Sequence, residues 1–338
     1  MRNAVHVLDC TLRDGGYVND WRFGDAVSRE IVELNGASGV EYSELGFIRF
    51  CDYEDGKMQF SEMEQIARLF RPSERKLAAM VEIGYGYPVS KFPLRSGGTV
   101  DLVRLVIWKR LISEGVSYAS ALVEKGYEVT IQATRTDQYT LEEFAELVRR
   151  FSAVGIKAFY IVDTFGLMTK RMLMDYAAVA DENLGDGIRL GYHAHNNLQQ
   201  AVMNTVAFCE RPWRHELMVD ASVMGMGRGA GNLCLELLEK HLNEEFCASY
   251  DVGRVHECAE RCILPIFRKM PWGYGVPYAM SASKRCNPTY VPYFERAGLS
   301  IPQMSEAFDW MRTRDGGIRY DEAFADAAIA EVKGRSRT

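Results

Sequence analysis

Short apolar runs rich in β-branched residues recur along the chain. They read AVHVLD (4–9), VEYSELGF (40–47), KLAAMVEIG (76–84), DLVRLVIW (101–108), YEVTIQAT (127–134), AFYIVDTFG (158–166), IRLGYHAHNN (188–197) and ELMVDASVMG (216–225). Each has the length and composition of a buried strand. Segments of helical spacing lie between most of them. AVSREIVELNGASG (26–39) and LEEFAELVRRFSAVG (141–155) place apolar residues three and four apart and end at glycine, a common helix stop. TKRMLMDYAAVADENLG (169–185) follows the same rule, and NNLQQAVMNTVAFCE (196–210) is expected to use its early asparagines as a cap.

Eight strands alternating with helices predict an α/β chain folded as a (β/α)8 TIM barrel. A doubly wound open sheet is the alternative. It is disfavoured because the eighth run completes the series near residue 225 and no GxGxxG follows an early strand. After that point the pattern changes. NLCLELLEKHLNEEF (232–246) reads as the eighth barrel helix, and the remainder is helical with a stretch rich in Pro, Tyr and Gly. The expected organisation is a barrel over 1–245 and a mainly helical C-terminal extension over 246–338, packed on the barrel.

Composition narrows the function classes. Of 338 residues, 47% are hydrophobic and 25% charged, which suits a globular chain with a sizeable core. The net charge of −6 argues against a general partner for nucleic acid or an anionic membrane. No apolar stretch approaches the ~18 residues that a membrane helix needs, and no secretory leader pattern opens the sequence. The eight scattered cysteines form no CxxC pair and are expected to be buried thiols, which places the protein in the reducing cytoplasm.

Polar residues gather at the C-terminal ends of the strands, where barrels of this kind carry their chemistry. These are Arg13-Asp14, Glu44, Gln132 and Thr134, Asp163-Thr164, His193-Ala194-His195 and the loop GMGRGAGN (225–232). Alternation along a strand points His193 and His195 to the same side. Two such imidazoles can bind a divalent metal, with Asp14 as a third ligand and the amide oxygen of Asn232 as a fourth. Two histidines hydrogen-bonded in a polar barrel mouth are the plainer alternative, and Arg13-Asp14-Gly15-Gly16 taken alone reads as a salt-bridged turn. GRGAGN lacks the GK[ST] ending of a phosphate loop.

LDCTLRDGG in the first strand, GYHAHNN in the seventh and DASVMGMGRGAGN after the eighth resemble the metallolyase barrels. That superfamily holds 4-hydroxy-2-oxoacid aldolases, hydroxymethylglutaryl-CoA lyase and isopropylmalate synthase-like enzymes. The resemblance spans about residues 4–240. It implies a divalent cation, Mn2+ or Mg2+ with Zn2+ or Co2+ as alternatives, held by Asp14, His193 and His195 with Asn232 near or in the shell. It also implies a 2-oxoacid substrate whose ketone oxygen receives Arg13, and a carbon–carbon lyase that forms or cleaves a 4-hydroxy-2-oxoacid. Gln132, Thr134 and Thr164 are expected to contact substrate, and Tyr290 to reach the site from the extension as a proton donor.

The pattern departs from the pyruvate-forming aldolases at Tyr17, where a catalytic histidine is expected. The base is then Tyr17 with a lowered pKa, another residue, or a metal-bound water; Glu44 is a candidate either for acid–base work or for a supporting place behind the metal ligands. A Claisen-type acyltransferase and a hydroxymethylglutaryl-CoA lyase-like enzyme are the alternative activities. A non-catalytic protein, or one coupled to an aldehyde-processing enzyme, is a third. The aromatic residues of the extension (Trp272, Tyr274, Tyr278, Tyr290, Tyr293) suggest a surface that needs burial, and with it a homodimer or larger assembly.

Overall fold

The computed structural model describes residues 3–70, 75–95, 100–314 and 317–335. Nine parallel strands appear in chain order: β1 (Val5–Asp9), β2 (Tyr42–Ile48), β3 (Gln59–Phe60), β4 (Lys76–Glu82), β5 (Leu102–Ile107), β6 (Glu128–Ala133), β7 (Ala158–Asp163), β8 (Arg189–Ala194) and β9 (Leu217–Ala221). Eight of them close a barrel. The hydrogen-bonded order runs β1-β9-β8-β7-β6-β5-β4-β2, and β2 pairs back to β1. The two-residue β3 adds to the rim of β2 and had no counterpart in the sequence pattern.

Around the barrel lie α1 (Gly16–Asn19), α2 (Asp25–Ser38), α3 (Met63–Leu69), α4 (Ile112–Glu124), α5 (Leu141–Ser152), α6 (Lys170–Asn183), α7 (Ala201–Glu210) and α8 (Leu235–Phe246). Their starts follow local chemistry. At α5, Thr140 accepts from the Glu143 amide while Glu143 reaches back to the Thr140 amide, a reciprocal cap. The structure corrects α7: it begins at Ala201, not at Asn196. Asn197 is used elsewhere, donating to Phe165 O and accepting from the Ala230 amide, so it ties two loops of the barrel mouth together.

Side-chain alternation sorts the barrel interior. Leu8, Tyr42, Ala78, Leu102, Ala158, Tyr160 and Met218 form an apolar cluster inside the ring. Tyr160 crosses to β8, where a Cβ on Gly191 would lie 2.5 Å from its ring, so only glycine leaves room there. In β2 the register slips by one residue against β4 between Glu44 and Phe47. Gly46 makes that bulge, at φ +147°, and a Cβ there would meet Met58 O at 2.0 Å. The extra residue turns Phe47 inward opposite Met80, and by the same alternation Arg49 faces inward near Glu82.

The chain continues through α9 (Val252–Cys258), a π-helical turn (Ala259–Ile263) and α10 (Leu264–Phe267), whose residues Val255, Cys258, Cys262 and Ile263 join the barrel's outer core. Then follow α11 (Val276–Ser283), α12 (Tyr290–Arg296), α13 (Ile301–Arg312) and α14 (Glu322–Arg335). They share a second core, centred on Tyr290, Phe294, Phe308 and Met311. Much of the aromatic surface expected at a dimer face is thus used inside the chain. Tyr290 is fully buried, whereas Tyr274 keeps 64% of its surface. Among the described residues no helix is long and apolar enough to cross a membrane.

One buried acid links the helical layer to the barrel. Glu239 on α8 is fully buried, and Ser38 at the end of α2 donates to its Oε1 at 2.7 Å while Oε2 has no partner. Burial pushes this carboxyl up to about 7; the Ser38 hydrogen bond pulls it down, and Asp9, Glu236 and Asp251 push it up. The folded state therefore binds this proton more tightly than the unfolded state. Stability is greatest below the unfolded carboxyl range and falls as pH rises toward about 7. Glu239→Gln is expected to gain up to about 3 kcal/mol at pH 8 and nothing near pH 4. Parallel urea titrations of the two proteins across that range check it, and an identical pH slope for both refutes it.

Candidate active site

Above the apolar layer, the inward positions become charged. Glu44 on β2, Arg104 on β5, Asp220 on β9 and His193 on β8 sit two residues further along their strands than Tyr42, Leu102, Met218 and Gly191. They form a closed ring with the β1 loop. Arg13 Nε donates to Glu44 Oε2 at 2.8 Å, and Arg104 Nη1 donates to the same oxygen at 2.7 Å. Arg104 Nη2 donates to Asp220 Oδ2. Asp220 Oδ2 in turn lies 2.8 Å from His193 Nδ1. His193 Nε2 is 3.0 Å from Asp14 Oδ2, and Asp14 Oδ1 is 3.3 Å from Arg13 Nη1, which closes the circuit. None of these side chains is more than 6% exposed.

Electrostatics follow from this pairing. Desolvation would lower the Arg13 guanidinium, but Asp14 and Glu44 outweigh it and hold it well above its ordinary value. Burial would raise Asp14, yet Arg13 and the two imidazoles keep it well below the usual carboxylate range. Asp220 is lowered in the same way, against burial, by Arg104 and His193. Glu44 is thus fully enclosed between two arginines, and its place is behind Arg13 rather than at the open mouth. Of the two places open to Glu44, acid–base group or support behind the site, this arrangement suits a support that orients Arg13.

The ring presents a set of donors that suits a divalent cation. His195 Nδ1 lies 2.9 Å from the Asp163 carbonyl, which can only accept, so Nδ1 carries the proton and Nε2 a lone pair. His193 Nδ1 facing Asp220 fixes the same tautomer. Both Nε2 atoms converge on Asp14 Oδ2, at 3.0 and 3.4 Å, yet that oxygen has no hydrogen-bond partner of acceptable geometry. Asn232 donates through Nδ2 to Met226 O at 3.0 Å, and its buried Oδ1 is likewise unpartnered. Asn232 is bridged to His195 by backbone pairing, which brings the two to one rim. With neutral imidazoles, two guanidiniums face three carboxylates, one negative charge in excess. A divalent cation together with a singly charged 2-oxoacid would balance it.

Sequence reasoning missed several members of this site. Cys10 Sγ lies within 4.8 Å of ligand atoms of Asp14 and His193. Burial pushes its thiol well above its ordinary value, and it donates to Ala221 O at 3.3 Å; together with Asp14 and His193 it forms a cluster that could hold a metal. Arg104 and Asp220 were visible only as lone charges in the middle of apolar runs. That signal marks an inward polar position in a barrel strand but names no partner.

The other expected site residues fall in different places. Tyr17 lies on α1 directly after the Arg13-Asp14 turn, 42% exposed, with its ring 4.7 Å from Trp21 and 6.3 Å from Phe47. Desolvation raises its phenol despite the pull of Arg228, whose guanidinium lies 5.2 Å from the ring. Gln132 is buried and donates to Thr130 Oγ1 at 3.1 Å, and Thr134 is buried beside it on the β6 rim. Thr164 Oγ1 accepts from the Arg135 amide at 2.8 Å and so shapes a loop. Tyr290 is not at the mouth. Its hydroxyl donates to Arg319 O and accepts from the Asp321 amide, within the core of the extension.

The extension nevertheless touches the mouth through other residues. Arg228 Nη1 donates to Thr289 Oγ1 at 2.8 Å, and Trp272 Nε1 donates to Met224 O at 3.0 Å. The Gly273 amide bonds Gly229 O at 3.1 Å. These contacts clamp the loop that ends in Asn232.

The chain is similar to several known proteins. An oxaloacetate decarboxylase of Mycobacterium tuberculosis is 27% identical over 324 residues, spanning 91% of this chain and 94% of that protein. A 4-hydroxy-2-oxovalerate aldolase of Geobacillus genomosp. 3 is 26% identical over 270 residues, 78% of each chain. The carboxyl transferase domain of Rhizobium etli pyruvate carboxylase shares the fold at a TM-score of 0.70 and 14% identity, over 98% of this chain and 62% of that one. The model of the HMGL-like family matches residues 4–257, and the chain belongs to that family.

Proposed function

We propose that this protein is a divalent-metal-dependent aldolase that cleaves a 4-hydroxy-2-oxoacid to pyruvate, or a related 2-oxoacid, and an aldehyde, or runs the reverse condensation. The observation that carries this reading is the convergence of Asp14, His193 and His195 beside the Arg13 guanidinium at the barrel mouth. Asp14, His193 and His195, with Asn232, would hold the cation, which when bound supplies a Lewis acid for the 2-oxoacid. Arg13 donates to the ketone oxygen. As the C3–C4 bond breaks, its electron pair moves onto that oxygen, and the fixed guanidinium stabilises charge that appears only as the reaction proceeds. Glu44 and Arg104 keep Arg13 from relaxing toward Asp14 alone.

A second reading has its own support. The oxaloacetate decarboxylase relative aligns over 91% of the chain, extension included, whereas the aldolase relative covers 78%. Loss of carbon dioxide from oxaloacetate would place the same negative charge on the same oxygen, so Arg13 and the metal ligands serve both reactions.

Two predictions follow from the donor set and the ring behind it. Purified protein is expected to bind about one Mn2+ or Mg2+ per chain by calorimetry and to release pyruvate from 4-hydroxy-2-oxovalerate in a lactate-dehydrogenase-coupled assay. Asp14→Ala and His193→Ala should lose both. Wild-type protein that binds no metal and releases no pyruvate from either class of substrate sinks the proposal. Separately, Arg104→Met leaves Glu44 and Asp220 buried without their shared cation and should cost roughly 3–5 kcal/mol in urea unfolding. A loss below about 1 kcal/mol, the size of an exposed pair, would show that the ring does not hold as a unit.

A further inference from the structure

Cleavage of a 4-hydroxy-2-oxoacid needs a group that takes the proton from the C4 hydroxyl, and Tyr17 stands where a histidine was expected. The barrel interior can be searched by alternation. Among the inward-facing carboxylates of the described strands, Glu44 holds Arg13 and Arg104, and Asp220 holds Arg104 and His193. Glu82 is the last residue of β4, in the alternation that places Ala78 inside the barrel, and among the described residues it forms no ion pair. Its Oε1 accepts from Trp108 Nε1 at 2.8 Å, an indole that continues the inward row of β5. One oxygen is thereby fixed.

Its surroundings belong to the mouth. Arg49 faces it across the β2–β4 pairing, held over the rings of Trp21 and Phe47 at 5.1 and 4.6 Å. Tyr17 packs against the same rings, 4.7 Å from Trp21 and 6.3 Å from Phe47. The Phe47 ring also has the Arg13 guanidinium 6.0 Å from its centroid.

Resting on the aldolase reading, we infer that Glu82 is the proton acceptor of this site and takes the hydrogen of the substrate's C4 hydroxyl. In the cleavage direction the O–H proton passes to the Glu82 carboxylate. The C3–C4 bond breaks, C4 becomes the aldehyde carbon, and the electron pair goes to the C2 oxygen facing Arg13. C3 takes a proton from water at the open mouth, and the hydroxide left behind takes the proton from Glu82, which regenerates the carboxylate and the water. Burial raises this carboxyl, against the Trp108 hydrogen bond and the pull of Arg49, which makes it a better base than an ordinary glutamate.

The test uses two substrates that share the 2-oxoacid part C1–C3 and differ at C4, which bears a hydroxyl and a methyl in one and is a carboxylate in the other. Glu82→Gln should lower kcat for 4-hydroxy-2-oxovalerate cleavage by about 100-fold or more. Oxaloacetate loses carbon dioxide with no hydroxyl to deprotonate, so its turnover should stay within about threefold of wild type. In Glu82→Ala, added formate should restore part of the cleavage rate, which a structural role would not allow. Equal losses on both substrates without formate rescue, or cleavage within about threefold of wild type in Glu82→Gln, overturn the assignment. If wild-type protein turns over neither substrate with Mn2+ or Mg2+, the aldolase reading itself fails and the inference falls with it.

Discussion

The barrel is organised around a ring of opposite charges that cannot be taken apart one member at a time. Asp14, Arg13, Glu44, Arg104, Asp220 and His193 are joined in a closed circuit with almost no exposure. Burying such groups singly would cost several kcal/mol each, and only near-complete pairing makes the arrangement tolerable. The ring spans five strand ends or loops, so barrel closure, strand register and site geometry become one constraint. Arg104 shows this most directly: from β5 it bridges β2 and β9, strands that are not its neighbours.

The same constraint separates what was legible in the sequence from what was not. The eight strands were readable because each is a dense β-branched run. TLRDGG and His193-x-His195 were readable because their residue types and spacing are uncommon in apolar strands. Arg104 and Asp220 were harder, since a lone charge in a strand carries no address for its partner 116 residues away. Cys10 looked like any buried thiol until the closed barrel set it under Asp14 and His193. The start of α7 was misjudged because Asn196 and Asn197 resemble caps locally, while Asn197 serves a contact between distant loops. Tyr290 was misplaced for a similar reason: an aromatic hydroxyl in a Pro-rich segment gives no sign of whether it faces the barrel or its own helices.

The extension acts on the site through backbone contacts more than through chemistry. The loop 225–232 contains four glycines, three of them at positive φ, and has little intrinsic stiffness. It carries Asn232, whose amide must hold one orientation to keep Oδ1 free. Trp272, Gly273 and Thr289 each bond this loop or its near neighbour Met224 from outside. Trp272 itself packs on the barrel's outer core, and Thr289 opens α12 of the second core, so the loop is held from both bodies of packing.

The replacement at Tyr17 is easier to understand from the shape of the mouth than from the first motif. In a barrel, the end of every strand faces the same central space, so a proton acceptor can enter from any of them. What fixes its position is the distance from the charge ring, not its distance along the chain. The bulge at Gly46 turns both Phe47 and Arg49 inward, and Trp108 fixes one oxygen of Glu82. An aromatic residue at position 17 then fits well: it packs edge-on against Trp21 and Phe47 and leaves the polar work to the β4 rim. A histidine there would add a third imidazole close to the field of Arg228, which already depresses His195 alongside burial. The departure at Tyr17 and the Glu82 carboxylate, held by Trp108 and by no ion pair among the described residues, thus belong to one mouth.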